Sequence, residues 1–224
     1  MTKVESLKKL FKNKSLFDQA LTHRSWVNEH KGERTSNERL EFLGDAILEF
    51  VVSKDLFDKF PEKEEGYLTA LRANLVNTVS LANLALNLDL GPAIYLSKGE
   101  EDSGGRANTS LLADTVEAII GALFIDQGVT ASEKFINLNL LKDLDKRAAL
   151  PLKDPKSSLQ EYVQSQSLPA PKYQVVEESG PDHNKKFIIE VLVNGESWAR
   201  GEGKSKSTAE QDAAGQALLK KVRT

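Results

Sequence analysis

The chain has 224 residues, of which 40% are hydrophobic and 28% charged, and these fractions are typical of soluble globular proteins. The length allows two domains with separate cores. No apolar run approaches the roughly 20 residues of a membrane helix, so we expect no membrane span. We also expect no secretory signal. The absence of cysteine excludes disulfides and thiolate metal sites and fits a reducing cytoplasm.

The net charge of −3 argues against a chain that binds nucleic acid through an overall basic surface. Residues 1–153 carry 20 Lys and Arg against 23 Asp and Glu, and residues 154–224 carry 10 against 10. Any contact with nucleic acid must therefore come from local clusters of basic residues.

The first two thirds of the chain are predicted to be helical. Apolar residues recur at helical spacing from Ser6 to about Arg147, and turn signals such as Phe60-Pro61 and Gly91-Pro92 break the runs. We expect an all-α domain over residues 1–148. The two prolines within residues 149–155 indicate a linker.

Residues 156–224 change in pattern and predict a small α+β domain. Alternating apolar residues indicate strands, and Asn194-Gly195 is typical of a tight hairpin turn. The predicted elements are a helix over Ser157–Gln166, strands over Tyr173–Glu178, Lys186–Val193 and Ser197–Gly201, and a helix over Ser207–Lys221.

The segment NERLEFLGDAIL, residues 37–48, predicts a helix with three carboxylates on one face. At 100° per residue, Glu38, Glu41 and Asp45 fall within a narrow arc. The opposite arc, which we expect to face the core, holds Leu40, Leu43, Ile47 and Phe50. A lone helix of this kind would be read as a solvated face beside a core face.

Phe42 and Gly44 do not fit a simple core helix. Phe42 lies close to the acidic arc, where an exposed aromatic ring needs a partner surface, and this favours self-association. Gly44 costs helix stability, and this cost is tolerable if another helix must approach closely there.

A second acidic segment favours a metal site. Residues 110–126, SLLADTVEAIIGALFID, predict a buried helix, yet Asp114 and Glu117 lie one turn apart on it. Buried carboxylates need a partner, a proton or a cation, and no basic residue lies between Leu111 and Ile125. Oxygen ligands without cysteine suit Mg²⁺, with Mn²⁺ as a substitute, and no organic cofactor is indicated.

Both acidic segments resemble the ribonuclease III catalytic domain. The first is similar to the signature of that family, and residues 103–128 are similar to its second acidic motif. ALTHRSW at residues 20–26 and EEGYLTALRANLV at residues 64–76 also match. The resemblance implies a homodimeric endonuclease that cuts double-stranded RNA and processes ribosomal and messenger RNA. It would leave 5′-phosphates, 3′-hydroxyls and short 3′ overhangs.

Carried over residue by residue, the resemblance assigns roles in the catalytic domain. Asp45 and Glu117 would be catalytic, and Glu41, Asp45, Asp114 and Glu117 would bind the metal. Glu38 and Glu65 match secondary positions near the active site. Phe42 matches a residue that enters the partner subunit of the homodimer.

Residues 156–224 are similar to the double-stranded RNA-binding domain, which recognises the shape of A-form RNA. The resemblance implies RNA contacts from Gln160, Glu161, His183, Lys204 and Lys206. The family usually has two adjacent lysines at this position, and in this chain the second is Ser207, with Lys204 as a possible substitute. We therefore expect a lower affinity for phosphate.

Two other hypotheses remain open at this point. A protein of the same architecture could bind double-stranded RNA without cutting it, and a helical metal-binding protein could be unrelated to RNA. The four acids argue against the former, and the second domain argues against the latter.

Overall fold

The fold is known from a computed structural model that describes residues 2–150, 152, 154–181 and 185–221. These residues divide into two units, one within residues 1–150 and one within residues 151–224. Each unit has its own hydrophobic core. The predicted domain bounds at 148 and 156, with a linker between them, stay predictions.

In the described part of the first unit the regular elements are helices, with short 3-10 turns at Gly91–Ala93 and Gly105–Ala107. Among the residues described, no helix is long and apolar enough to cross a membrane. The helices are α1 Lys3–Lys9, α2 Lys14–Ala20, α3 Arg24–Glu29, α4 Glu38–Lys59, α5 Glu65–Val76, α6 Thr78–Asn87, α7 Lys98–Asp102, α8 Thr109–Gln127, α9 Val129–Asn139 and α10 Leu144–Ala148.

Helix α8 lies at the centre of this unit, and α2, α4, α6 and α9 pack against it. The Asn108 side chain caps it by accepting the Leu111 N–H at 3.1 Å, and Gly128 ends it with a φ of 80°. Most of its apolar residues are fully buried, which confirms the buried helix predicted from the sequence.

The core face predicted for α4 was partly wrong. Leu40 is buried as expected, but Phe50 is 57% exposed, and the buried row continues instead through Gly44, Leu48 and Val52. Because α4 crosses α8 at Gly44, the helix is rotated relative to the prediction, and Phe50 faces away from the core.

The second unit is an α+β domain with a three-stranded antiparallel sheet in the order β1-β2-β3. In β2, every second residue from Phe187 to Val193 is buried, and most of the other buried core residues come from two helices. Asn194 and Gly195 both have positive φ, which confirms the predicted hairpin. The elements are α11 Pro155–Ser165, β1 Lys172–Ser179, β2 Lys186–Val193, β3 Glu196–Gly203 and α12 Lys206–Lys221.

Candidate active site and RNA-binding face

Three half-buried carboxylates meet where α4 crosses α8. Glu41 on α4 and Asp114 and Glu117 on α8 each offer one carboxylate oxygen, and these oxygens lie within 4.8 Å of one another. The sequence placed the three acids on two helices, and the fold brings them together.

Two glycines allow the helices to cross closely enough to form this cluster. A Cβ on Gly44 would lie 1.8 Å from the Glu117 carbonyl oxygen, and a Cβ on Gly121 would lie 2.1 Å from the Leu40 carbonyl oxygen. The backbones are therefore in direct contact beside the acids. This contact explains the glycine that the sequence placed inside a helix.

Burial and mutual repulsion make the acids difficult to ionise. Burial raises the pKa of Glu117 to about 8, and the charges on Asp45, Asp114 and Glu41 add to the increase. Burial likewise raises the pKa values of Glu41 and Asp114, although the His23 charge opposes the increase at Asp114. A cation among the carboxylates would favour their ionised forms.

The donor set suits a small, hard cation. All three groups are carboxylates, which Mg²⁺ and Mn²⁺ prefer over nitrogen or sulfur ligands. Two oxygens on one Mg²⁺ lie at most about 4.2 Å apart, since each bond is about 2.1 Å long. Small side-chain rotations within the 4.8 Å cluster would therefore reach coordination distance.

The second unit exposes most of the residues predicted to contact RNA. Gln160 and Glu161 lie exposed on α11. Lys204 lies exposed just before α12, and Lys206 lies exposed at its first position. The Lys206 ammonium lies 5.9 Å from the centre of the Phe187 ring. His183 falls outside the described residues, and Ser207 is exposed on the first turn of α12.

Comparison with known proteins identifies the family. A model described as Ribonuclease-III-like matches residues 13–144, and a double-stranded RNA binding motif matches residues 155–221. This chain belongs to the ribonuclease III family. The matches confirm the predicted resemblance and the fold class.

Several proteins of the ribonuclease III family are similar to this chain over much of their length. Ribonuclease 3 of Geobacillus sp. strain WCH70 is 48% identical over 94% of this chain and 86% of its own. Ribonuclease 3 of Enterococcus faecalis strain V583 is 48% identical over 93% and 91%. A ribonuclease III nuclease domain from Campylobacter jejuni, described for flexibility in a region involved in dimer formation, has a TM-score of 0.58 and 42% identity, covering 63% of this chain and 99% of its own.

Three further acids predicted from the ribonuclease III resemblance lie outside the three-carboxylate cluster. Asp45 is exposed one turn beyond Glu41, and its charge reaches Glu117. The carboxylate of Glu38 accepts from Arg24 at 2.9 Å and from Ser36 at 3.0 Å. Glu65, at the start of α5, accepts from the Thr69 hydroxyl at 3.1 Å.

His23 and Arg24 were not predicted as site residues, although their segment, ALTHRSW, resembles the family. Arg24 pairs with Glu38, and the charge on His23 acts on Asp114. The resemblance of ALTHRSW to the family was the signal that could have pointed to these two residues. No spacing rule connects residues on α3 to acids on α4 and α8, because the fold alone brings them together.

Phe42 is 81% exposed, as an interface residue would be in a ribonuclease III subunit described alone. Farther along α4, Phe50 and Phe57 are also exposed and line a groove of about 780 Å³ between α4 and α5. Glu65 and Arg72 lie at the same groove. The groove is large enough to accept an aromatic side chain.

Proposed function

We propose that this chain is a metal-dependent endonuclease that cuts double-stranded RNA at the cluster of Glu41, Asp114 and Glu117. The observation that carries the proposal is the convergence of three half-buried carboxylates from two helices within 4.8 Å. Membership of the ribonuclease III family and the double-stranded RNA binding motif over residues 155–221 support the substrate.

Glu41, Asp114 and Glu117 would hold Mg²⁺, or Mn²⁺ in its place, and Asp45 would complete the ligand set from the exposed side. A bound ion would supply Lewis-acid chemistry, lowering the pKa of a water molecule and offsetting charge on the leaving 3′ oxygen. Glu117 would keep its proton near neutral pH without a cation, since its pKa is raised to about 8. Asp45 and Glu117 would act as the catalytic pair, giving 5′-phosphate and 3′-hydroxyl ends.

The double-stranded RNA would be bound by the second unit. Gln160 and Glu161 would contact the minor groove, as would His183, and Lys204 and Lys206 would contact phosphates. Ser207 replaces the second lysine usual in the family, and Lys204 would substitute for it with a lower affinity for phosphate. Residues 149–155 would link this domain to the catalytic domain.

The active protein would be a homodimer in which each subunit supplies one cleavage site, giving short 3′ overhangs. Phe42 of one copy would enter the groove lined by Phe50 and Phe57 on the other. Glu38 and Glu65 would lie near the RNA at the margin of the site. Ribosomal and messenger RNA precursors in the cytoplasm would be the substrates.

The test is cleavage of a long, fully paired RNA. With Mg²⁺ we expect short duplexes with 5′-phosphates, no products in excess EDTA, and recovery when Mg²⁺ or Mn²⁺ is restored. Binding of the duplex without cleavage under every metal condition would contradict the proposal and favour a catalytically silent RNA-binding protein. Single-stranded RNA of the same sequence is the control and should not be cut into such products.

A further inference from the structure

Arg39 is an exposed cation near the start of α4. Within the described residues its guanidinium forms no ion pair, and the neighbouring Glu38 pairs instead with Arg24 at 2.9 Å. A helical side chain meets those three and four positions away, and none of these positions around Arg39 holds an acid. The charge on Arg39 is therefore not neutralised along its own helix.

The side chain of Arg39 leaves α4 on the face turned away from the core. At 100° per residue, Phe42, Phe50 and Phe57 fall within about 60° of Arg39, and the buried Leu48 falls on the opposite side. The three aromatic side chains are all exposed. Arg39 thus begins the exposed face of α4 that carries Phe42 and the aromatic wall of the groove.

The groove between α4 and α5 contains one acid, Glu65, among the described residues that line it. The three cations at the groove each have an acidic partner: Arg72 with Glu49 at 2.8 Å, Lys54 with Asp58 at 3.3 Å, and Lys63 with Glu62 at 3.8 Å. Glu65 is exposed, and its carboxylate accepts from the Thr69 hydroxyl but pairs with no cation in the part of the chain that is described. The groove therefore offers one carboxylate whose charge is not neutralised.

Two-fold symmetry determines which end of the groove Arg39 would meet. Parallel α4 helices related by a two-fold axis would place each residue opposite itself, so Phe42 can reach Phe50 and Phe57 of the other copy only if the helices run antiparallel. Arg39 lies about 4.5 Å before Phe42 along the axis. It therefore lies toward the end of the partner's groove that follows Phe57, where α5 begins with Glu65.

We propose that Arg39 of one copy forms an ion pair with Glu65 of the partner subunit when Phe42 enters the partner's groove. The inference rests on the proposed function, of which the homodimer is a part. The pair forms twice in a two-fold dimer and neutralises two charges that are unpaired in the single copy. Because Glu65 lies at the margin of the proposed active site, each site takes one of its supporting residues from the other copy.

A cycle of charge reversals tests the pair in the full chain. Sedimentation equilibrium without RNA and in EDTA gives the dimer Kd of the unmodified chain, Arg39→Glu, Glu65→Arg and the double variant. Each single reversal places like charges together at two positions, so we expect the Kd to rise about 10-fold or more. The double variant restores opposite charges and should return the Kd to within about 3-fold of the unmodified value.

Lys98→Glu is the matched control, because it reverses the charge of an exposed residue on α7 and should leave the dimer Kd unchanged. Single reversals with an unmodified Kd, or a double variant as weak as the two single effects combined, would overturn the inference and leave the homodimer intact. An Arg39→Glu chain that dimerises normally but binds the RNA duplex more weakly would also overturn it and make Arg39 an RNA contact. If the unmodified chain is a monomer, the proposed homodimer fails together with the inference.

Discussion

Glu117 is the residue at which stability and function are expected to conflict. Burial among other acids raises its pKa to about 8 from an ordinary value of 4.5. The folded chain therefore keeps a proton that the unfolded chain loses near pH 4.5. Since the folded state binds more protons in this range, the free energy of unfolding falls as pH rises from about 4.5 to about 8.

We predict that Glu117→Gln stabilises the protein in EDTA at high pH, because it removes a carboxylate that must ionise while buried. Thermal unfolding in EDTA should give a higher Tm than the unmodified chain at about pH 8.5 and a much smaller difference at about pH 5. If the Tm difference between the variant and the unmodified chain is the same at both pH values, ionisation of Glu117 does not contribute to the stability of the fold. Glu5→Gln, which keeps the α1 capping box, is the control and should show no such pH dependence.

The sequence identified Glu41, Asp114 and Glu117 because helical spacing and two family motifs agree at these positions. It did not identify the Arg24–Glu38 pair, since that contact joins two helices whose packing is set by the whole fold. Of the four predicted metal ligands, Glu41, Asp114 and Glu117 bring carboxylate oxygens together, whereas Asp45 does not join them. This difference depends on side-chain position, which no spacing rule provides.

The crossing of helices α4 and α8 brings the carboxylates of Glu41, Asp114 and Glu117 together. We predict that Gly44→Ala destabilises the protein by about 1–3 kcal/mol, since a Cβ there meets the Glu117 backbone and the helices must separate. Chemical denaturation measures the loss, and Mn²⁺ affinity should fall with it because Glu41 moves away from Asp114. Gly99→Ala, where a Cβ meets nothing within 4 Å, is the control and should neither destabilise the protein nor weaken Mn²⁺ binding. Full stability of Gly44→Ala would show that the crossing tolerates a methyl group.

The sequence predicted the elements well and one orientation poorly. Helix α8 and the three strands end within two residues of their predicted bounds, since apolar periodicity and turn residues mark them locally. On α4, Leu40 is buried as expected, but Phe50 on the same predicted face is exposed. Periodicity shows that a face is apolar, but it does not distinguish burial in the core from an apolar groove at the surface.

At the scale of the whole molecule, self-association should depend on Phe42. We predict that Phe42→Asp shifts the protein from dimer to monomer, because a charge would have to be desolvated in the groove of the partner copy. Sedimentation velocity measures the change. Leu138→Asp, at another exposed apolar residue, is the control and should leave the dimer intact. A dimer that survives Phe42→Asp would place the interface elsewhere.

The role of the α4–α8 carboxylates is tested most directly by comparing cleavage with binding in Glu117→Gln, using a long RNA duplex with Mg²⁺ and Glu5→Gln as the control. We predict that Glu117→Gln binds the duplex as tightly as the unmodified chain but cuts it at least about 100-fold more slowly. Loss of a metal ligand should cost more than the loss of a residue that only hydrogen-bonds to a ligand. Glu5→Gln should cut at the normal rate. Cleavage by Glu117→Gln at the unmodified rate would contradict this prediction and show that the α4–α8 carboxylates do not take part in the chemistry.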